Sequence, residues 1–415
     1  MTRNRTRSAA LWAAFLAAHG LVAWLGWVLP GQPMGDVVLV YQPWSSAALA
    51  GDAVVGITED WVYPQLALVP MLLAQLLAAP FTAAFGSAGA YLIGWAVLVT
   101  ASDLLAFALL VGRGRTRRRR HAAWFWTGAL LLLGPIALYR IDAITVPIAI
   151  AGGLWLAQRP RVGAALLTVG AWVKIWPGAL VLATIAAGRR SWQTVLTAAS
   201  VSAALIAALV LLGAGEHVFG FLTTQAGRGL QIEAVAATPF LWLAVVGGAR
   251  IEYSFEILTF QIVAPGADAV SWALTGVMAV AVVAIVMVGV ARARSGTAWQ
   301  RLVPPLALAL VVALIVTNKV GSPQFTTWLL PPVILWVVFD RPRARSAAAL
   351  VLVLCALTFA IYPLAYDALL RAEPAAVLIV TVRNLLLVVL LIHSTRAVMR
   401  TPRASVSSRS SRTVR

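Results

Sequence analysis

The chain has 415 residues, is 61% hydrophobic and only 11% charged, and has a mean hydropathy of +0.89. That composition excludes a water-soluble globular domain and sets the class as a polytopic membrane protein. The formal net charge of +18 comes from Arg bunched between apolar runs, a pattern that points to membrane lipids and their anionic head groups as partners and away from nucleic acid.

The apolar runs are continuous and not alternating, which favours helices over a barrel, and ~20 residues per crossing leave room for about a dozen spans. The run from 9 to 29 follows Arg3, Arg5 and Arg7 and is closed by no small-x-small cleavage site, so it reads as a retained first span. Further Arg bunches lie at Arg113, Arg115 and Arg117 to Arg120, at Arg159 and Arg161, at Arg189 and Arg190, at Arg292, Arg294 and Arg301, at Arg341, Arg343 and Arg345, and from Arg396 to Arg415. With every bunch on the cytoplasmic side, an even number of crossings must separate successive bunches. Twelve predicted spans meet that test: 9–29, 88–111, 122–139, 143–158, 162–174, 177–188, 194–213, 268–290, 302–317, 323–339, 346–366 and 375–394. The expected architecture is all-α, with interfacial helices in the outer loops and both termini in the cytoplasm of a plasma-membrane protein.

The segment 64–85 is apolar enough to cross, but a single crossing there breaks the parity. Pro70 and Pro80 interrupt it, so a re-entrant or interfacial helical hairpin is expected. Residues 1–400 form one membrane domain, and 401–415 read as a basic, disordered cytoplasmic tail. Cys355 is alone and can form no intramolecular disulfide.

Carboxylates are costly in such a chain, and only 14 acidic residues occur. Four of them, Asp36, Asp52, Glu59 and Asp60, fall in the first outer connection, 30–87. From Val37 to Ala50 the pattern of Val37, Val40, Tyr41, Trp44 and Ala48 suits a helix lying along the membrane surface, although Pro43 weakens it. Asp36 stands just before it, either as an N-cap or as a reactive acid. Glu59 and Asp60 precede Trp61, Tyr63 and Pro64, a composition suited to sugar contact and equally to an interfacial aromatic belt.

Only two of the 32 basic residues are Lys. Lys174 and Lys319 both fall on the outer side, where a cation calls for a local anionic partner such as a lipid-linked phosphate, or snorkels to bulk head groups. In the second outer loop, 214–267, Arg228, Gln231 and Glu233 lie close in sequence, either as a phosphate and hydroxyl clamp or as a plain Arg228–Glu233 pair. The third connection brings Asn318, Lys319, Ser322 and Gln324 to the same side. Asp142 follows Arg140 at an outer helix end, either paired with it or extending the acidic site. Asp103 and Arg383 fall in or near spans without making a relay. His19, His121, His217 and His393 are scattered and form no metal pattern.

The ordered segments GDVVLVYQPWSSAALAG, WVYPQL, AWVKIWPGALVL, RGLQIEA and SPQFTTWLLPP, across residues 30–335, resemble the GT-C superfamily of membrane glycosyltransferases. Within it the chain looks like the actinobacterial polyprenyl-phosphate-mannose-dependent mannosyltransferases of glycosyltransferase family eighty-seven. It departs from the family where two prolines usually follow the loop tyrosine, since Gln65 follows Tyr63 and Pro64. The resemblance implies transfer of mannose from a polyprenyl phosphate to a lipid-linked or glycan acceptor on the extracytoplasmic face, by inverting single displacement. Asp36 would be the general base, and Lys174, Arg228 and Lys319 would hold the donor phosphate. Tyr41, Trp44, Glu59, Asp60, Tyr63, Gln231, Glu233 and Gln324 would contact substrate. No cofactor is required, and a divalent cation, which the acidic loop could bind, is not demanded. Arabinosyl in place of mannosyl transfer, and a transporter or flippase for a lipid or polyprenyl-linked sugar, are the rival expectations.

Overall fold

The computed structural model describes residues 2–112, 116–188, 191–254 and 259–402. Arg113, Arg115, Arg189, Arg190 and residues 403–415, with most of the expected tail, lie outside the described residues. In chain order the helices begin with α1 (Thr2–Val28), then a π-helical turn at Val37–Tyr41 that runs straight into α2 (Gln42–Ala50). Next come α3 (Leu68–Ala78), α4 (Thr82–Val111), α5 (Arg117–Leu133), α6 (Asp142–Leu156), α7 (Pro160–Val173), α8 (Gly178–Ala186) and α9 (Ser191–Leu211). After α10 (Gly220–Ala226) and α11 (Thr238–Val245) comes one antiparallel hairpin, β1 (Arg250–Ser254) with β2 (Thr259–Val263), in the register Arg250 opposite Val263. The chain returns to helix for α12 (Ala267–Arg294), α13 (Trp299–Val316), α14 (Leu330–Phe359), α15 (Tyr366–Leu370) and α16 (Pro374–Met399).

Among the described residues, seven helical segments are long and apolar enough to cross a membrane. Each of the twelve segments singled out by sequence is helical over most of its length. The break between 323–339 and 346–366 falls at Asp340, whose φ of −147° and ψ of 67° interrupt α14, with Pro342 just beyond. The 64–85 segment is also interrupted. After α3 a 3-10 turn at Ala79–Phe81 carries Pro80, and Gly86, at φ 67°, kinks the start of α4.

α13 forms the centre, with every residue from Leu302 to Ala313 buried. By contrast, only 11% of the apolar window is buried in α9 and in α12. Trp272 (83% exposed) and Leu211 (88%) show that these two helices present apolar surface outward. Such surface would aggregate in water and is the expected face toward hydrocarbon. Tight crossings use small residues, as at Gly94, where an added Cβ would lie 2.4 Å from the Ala74 carbonyl oxygen of α3.

The charges expected inside the bundle are paired. His19 of α1 lies 3.0 Å from Asp103 of α4, and Arg383 of α16 pairs with Glu233. At one end of the bundle the Arg side chains reach helix termini: Arg118 donates to the Phe339 carbonyl (3.1 Å) and Arg119 to Leu109 and Leu110 (2.9 Å each). Arg343 donates to Ala397 O at 2.8 Å and Arg292 to Thr401 O. Thr401, assigned to the tail by sequence, is buried here.

Candidate functional site

At the other end of these helices, the first connection is pinned by Tyr41. Its ring is fully buried, and its hydroxyl accepts from Ile141 N–H at 3.2 Å. The π-helical turn ahead of Tyr41 then sets Asp36 against Arg140, with Oδ2 3.3 Å from Nε. Asp36 has helical dihedrals and makes no side-chain cap bond, so it is not an N-cap. Pro43 lies where the π-helical turn passes into α2, and the helix continues through that irregular junction without breaking.

Arg140 is held on every side. It donates to Pro33 O and Tyr139 O (2.8 Å each) and to the Tyr362 hydroxyl (3.0 Å). Burial works against its charge, but Asp36 and the ring hydroxyls of Tyr362 and Tyr41 outweigh that, and its pKa lies above the ordinary Arg value. Asp36 keeps a side chain 41% exposed, beside an Arg that is only 5% exposed.

Adjacency in sequence suggested an Arg140–Asp142 pair, but Asp142 turns the other way. It is fully buried, accepts from Trp328 Nε1, and lies 3.9 Å from Lys174 Nζ. Lys174 ends α7 in an extended conformation, and its ammonium stands 4.2 Å above the Tyr63 ring. The anionic partner that an outer lysine called for is thus supplied within the chain. Trp176 stacks on Trp328 and donates to Thr145 at 2.9 Å, fixing the α7–α8 junction. Trp44, Trp61 and Tyr63 form an edge-to-face cluster with centroids 5.3 to 6.1 Å apart.

Asp60 is tied to His217 at 2.8 Å, and Gln65 donates to the carbonyls of His217 (2.9 Å) and Val218 (3.1 Å), joining the first and second connections. Glu59 and Asp60 stay exposed at the rim. Residues 230–232 run beside β2: Ile262 N–H donates to Leu230 O at 2.9 Å, and Gln231 bridges to Gln261. Gln231 N–H also donates to Lys319 O at 3.0 Å, joining the third connection. That junction requires Gly321, where a Cβ would lie 2.0 Å from the Ala234 nitrogen. Backbone cannot yield as a side chain can, so Gly321→Ala should destabilise the chain by about 1–3 kcal/mol. Thermal unfolding in detergent checks this; an unchanged midpoint would contradict the close approach.

Glu233 does not pair with Arg228. Its carboxylate is bound by Arg383, whose Nη2 also donates to Glu233 O at 2.8 Å. Burial raises the Glu233 pKa against the pull of Arg383. Arg228 has no carboxylate partner among the described residues, and its buried Nε is without a hydrogen bond. Burial lowers the pKa of both Arg228 and Lys319. A bound anion would oppose that penalty at each. The Gln324 side-chain oxygen is likewise buried without a partner.

All of these segments enclose one cavity of about 910 Å³. Every site residue named from the sequence lines it: Asp36, Tyr41, Trp44, Glu59, Asp60, Tyr63, Lys174, Arg228, Gln231, Glu233, Lys319 and Gln324. Asp52 does not. Arg140, Trp176, Trp328, Tyr362 and Tyr366 also line it and were not assigned to the site from sequence. Arg140 carried a signal, being an Arg at the wrong end of a span for the charge bias. Among the described residues no three His, Cys, Asp or Glu side chains are grouped to hold a metal ion.

Fold and site together define an α-helical, membrane-embedded protein with a polar, cation-lined cavity where its connecting segments meet. No protein-family model matches the chain, and no curated protein or solved structure matches it either.

Proposed function

We propose that the chain is a polyprenyl-phosphate-sugar-dependent glycosyltransferase of the GT-C type, transferring mannose to a lipid-linked or glycan acceptor. The observation that carries this reading is the convergence of the half-exposed carboxylate of Asp36 with Lys174, Arg228 and Lys319 on a single cavity. These groups come from segments far apart in sequence, and their chemistry is complementary to a hydroxyl attacking a sugar phosphate. A volume of about 910 Å³ is in the range that holds a sugar and its neighbouring groups.

In the proposed reaction Asp36 takes the proton of the acceptor hydroxyl as that oxygen bonds to the sugar C1. The C1–O bond to phosphate breaks, its electron pair leaves with the phosphate, and in-line attack inverts the anomeric carbon. Charge grows on the departing phosphate, and Lys174, Arg228 and Lys319 stabilise it. Because the leaving group is an ionised phosphate it needs little acid catalysis, and a divalent cation is not demanded. Arg140 orients Asp36, holding Oδ2 and leaving the rest of the carboxylate to the cavity.

The proposed layout has twelve crossings of the plasma membrane, both termini in the cytoplasm, and the cavity on the extracytoplasmic face. The gathering of Arg118, Arg119, Arg292 and Arg343 at the end of the bundle away from the cavity supports it. Arg228→Ala should raise the KM for polyprenyl-phosphate-mannose about 10- to 100-fold, the usual cost of a lost charge-assisted contact. Lys174→Ala should do less, since Asp142 and Tyr63 already engage its ammonium. Steady-state kinetics on purified variants reads both, and an unchanged KM for Arg228→Ala would remove that residue from the donor site.

A further inference from the structure

Residues 29–34, just ahead of Asp36, belong to no helix, and Gly31 (φ 76°) and Gln32 (φ 46°) take left-handed backbone there. A segment of this kind holds its place by what it leans on. Its support is the irregular turn that follows α14, where Tyr362 leaves the helical path at φ −123° and ψ 120°. Gly31 packs on this turn, since a Cβ there would lie 3.6 Å from both Cβ and O of Pro363. The Tyr362 hydroxyl donates to Gln32 O at 3.4 Å and accepts from Arg140 Nη2 at 3.0 Å. Its ring lies 5.3 Å from the guanidinium carbon and is braced edge-to-face by Tyr366 at 5.0 Å.

Arg140 is thereby held on three sides. Nη1 donates to the carbonyls of Pro33 and Tyr139, Nη2 to Tyr362, and Nε faces Asp36. The three acceptors on Nη1 and Nη2 are neutral, so they fix the guanidinium plane without competing for its charge, which is left to Asp36. Among the described residues Asp36 forms no other ion pair. We propose that Tyr362 is a positioning residue of the transfer reaction: by holding Arg140 and the Gln32 carbonyl together, it sets the direction in which Asp36 faces the acceptor hydroxyl. The inference rests on the proposed role of Asp36 as the base and adds what aims it. A base must come within ~3 Å of the proton it takes, and a misplacement of about 1 Å costs up to 10²-fold in rate. Without the Tyr362 hydroxyl the guanidinium can pivot about Nη1, and the carboxylate turns with it.

Tyr362→Phe keeps the ring over Arg140 and removes only the hydroxyl. Measured on the purified full chain with polyprenyl-phosphate-mannose and envelope glycolipids, kcat should fall about tenfold, while the donor KM and the thermal midpoint stay near wild type. The same change made in Asp36→Asn should cause no further fall in single-turnover transfer, because there is no base left to aim. An undiminished kcat would overturn the role. So would an equal fall in both backgrounds, which would make Tyr362 act on substrate independently of Asp36. A raised donor KM in step with the loss of kcat, or a collapsed midpoint, would make the contact one of binding or of folding and would overturn it as well. A wild-type chain that transfers no sugar would remove the transferase reading and this role together, whereas an active wild type beside an unimpaired Tyr362→Phe would remove the role of Tyr362 alone.

Discussion

Asp36→Asn should lower sugar transfer by about 10²- to 10⁴-fold, the contribution of a well-placed general base, with little change in donor affinity. The amide keeps the shape of the side chain but cannot take a proton. Arg140 would lose its ionic partner yet keep its bonds to Pro33 O, Tyr139 O and Tyr362, so the first connection should hold its place. The Arg140 guanidinium, 5% exposed, then lacks its carboxylate, so the change should cost about 1–3 kcal/mol while those remaining bonds keep the chain folded. Single-turnover transfer from labelled polyprenyl-phosphate-mannose, beside a thermal midpoint, separates the two effects. Full activity in Asp36→Asn would remove it as the base, and a large fall in the midpoint would make its role structural.

The second large effect belongs to Arg383. Its side chain is 5% exposed and that of Glu233 only 1%. Arg383→Met should therefore cost about 3–5 kcal/mol, because it leaves a carboxylate buried without compensation. The same change frees residues 231–234, on which Gln231 and the Gly321 junction depend, so transfer should fall as well. Arg383→Met combined with Glu233→Leu should recover most of the stability, since the double variant buries no charge. A double-mutant cycle by denaturant unfolding in detergent reads the coupling. Simple additivity of the two single variants would show that the pair does not hold the second connection.

Much of the helical framework was legible in the sequence because its physics is local. Continuous apolar runs, Pro at helix starts and Arg at helix ends fixed the segments and even the α14 break at Asp340. The hairpin was missed although Ile251, Tyr253, Phe260 and Ile262 lie in a stretch of β-branched and aromatic residues. Long neighbouring apolar runs bias the reading toward helix, and strand pairing is a non-local contact.

That the scarce carboxylates and lysines of the connections would gather on one side of the bundle was legible, and most of them line one cavity. Their pairings were not. Adjacency suggested Arg140 with Asp142 and Arg228 with Glu233, whereas the structure pairs Arg140 with Asp36, Lys174 with Asp142 and Arg383 with Glu233. Each of these joins segments far apart in sequence, and only packing decides which charge faces which. Tyr362 and Tyr366 were invisible for the same reason, since nothing in the last helical segments announces a cavity wall.

The most direct test of the central claim is to count products. The purified chain is given doubly labelled polyprenyl-phosphate-mannose and an extract of envelope glycolipids, and free polyprenyl phosphate and mannosylated product are both quantified. Transfer predicts the two in equal amounts, both lowered by about 10²- to 10⁴-fold in Asp36→Asn. Movement of intact donor across a bilayer, with no polyprenyl phosphate released, would contradict the transferase account and leave a transporter in its place.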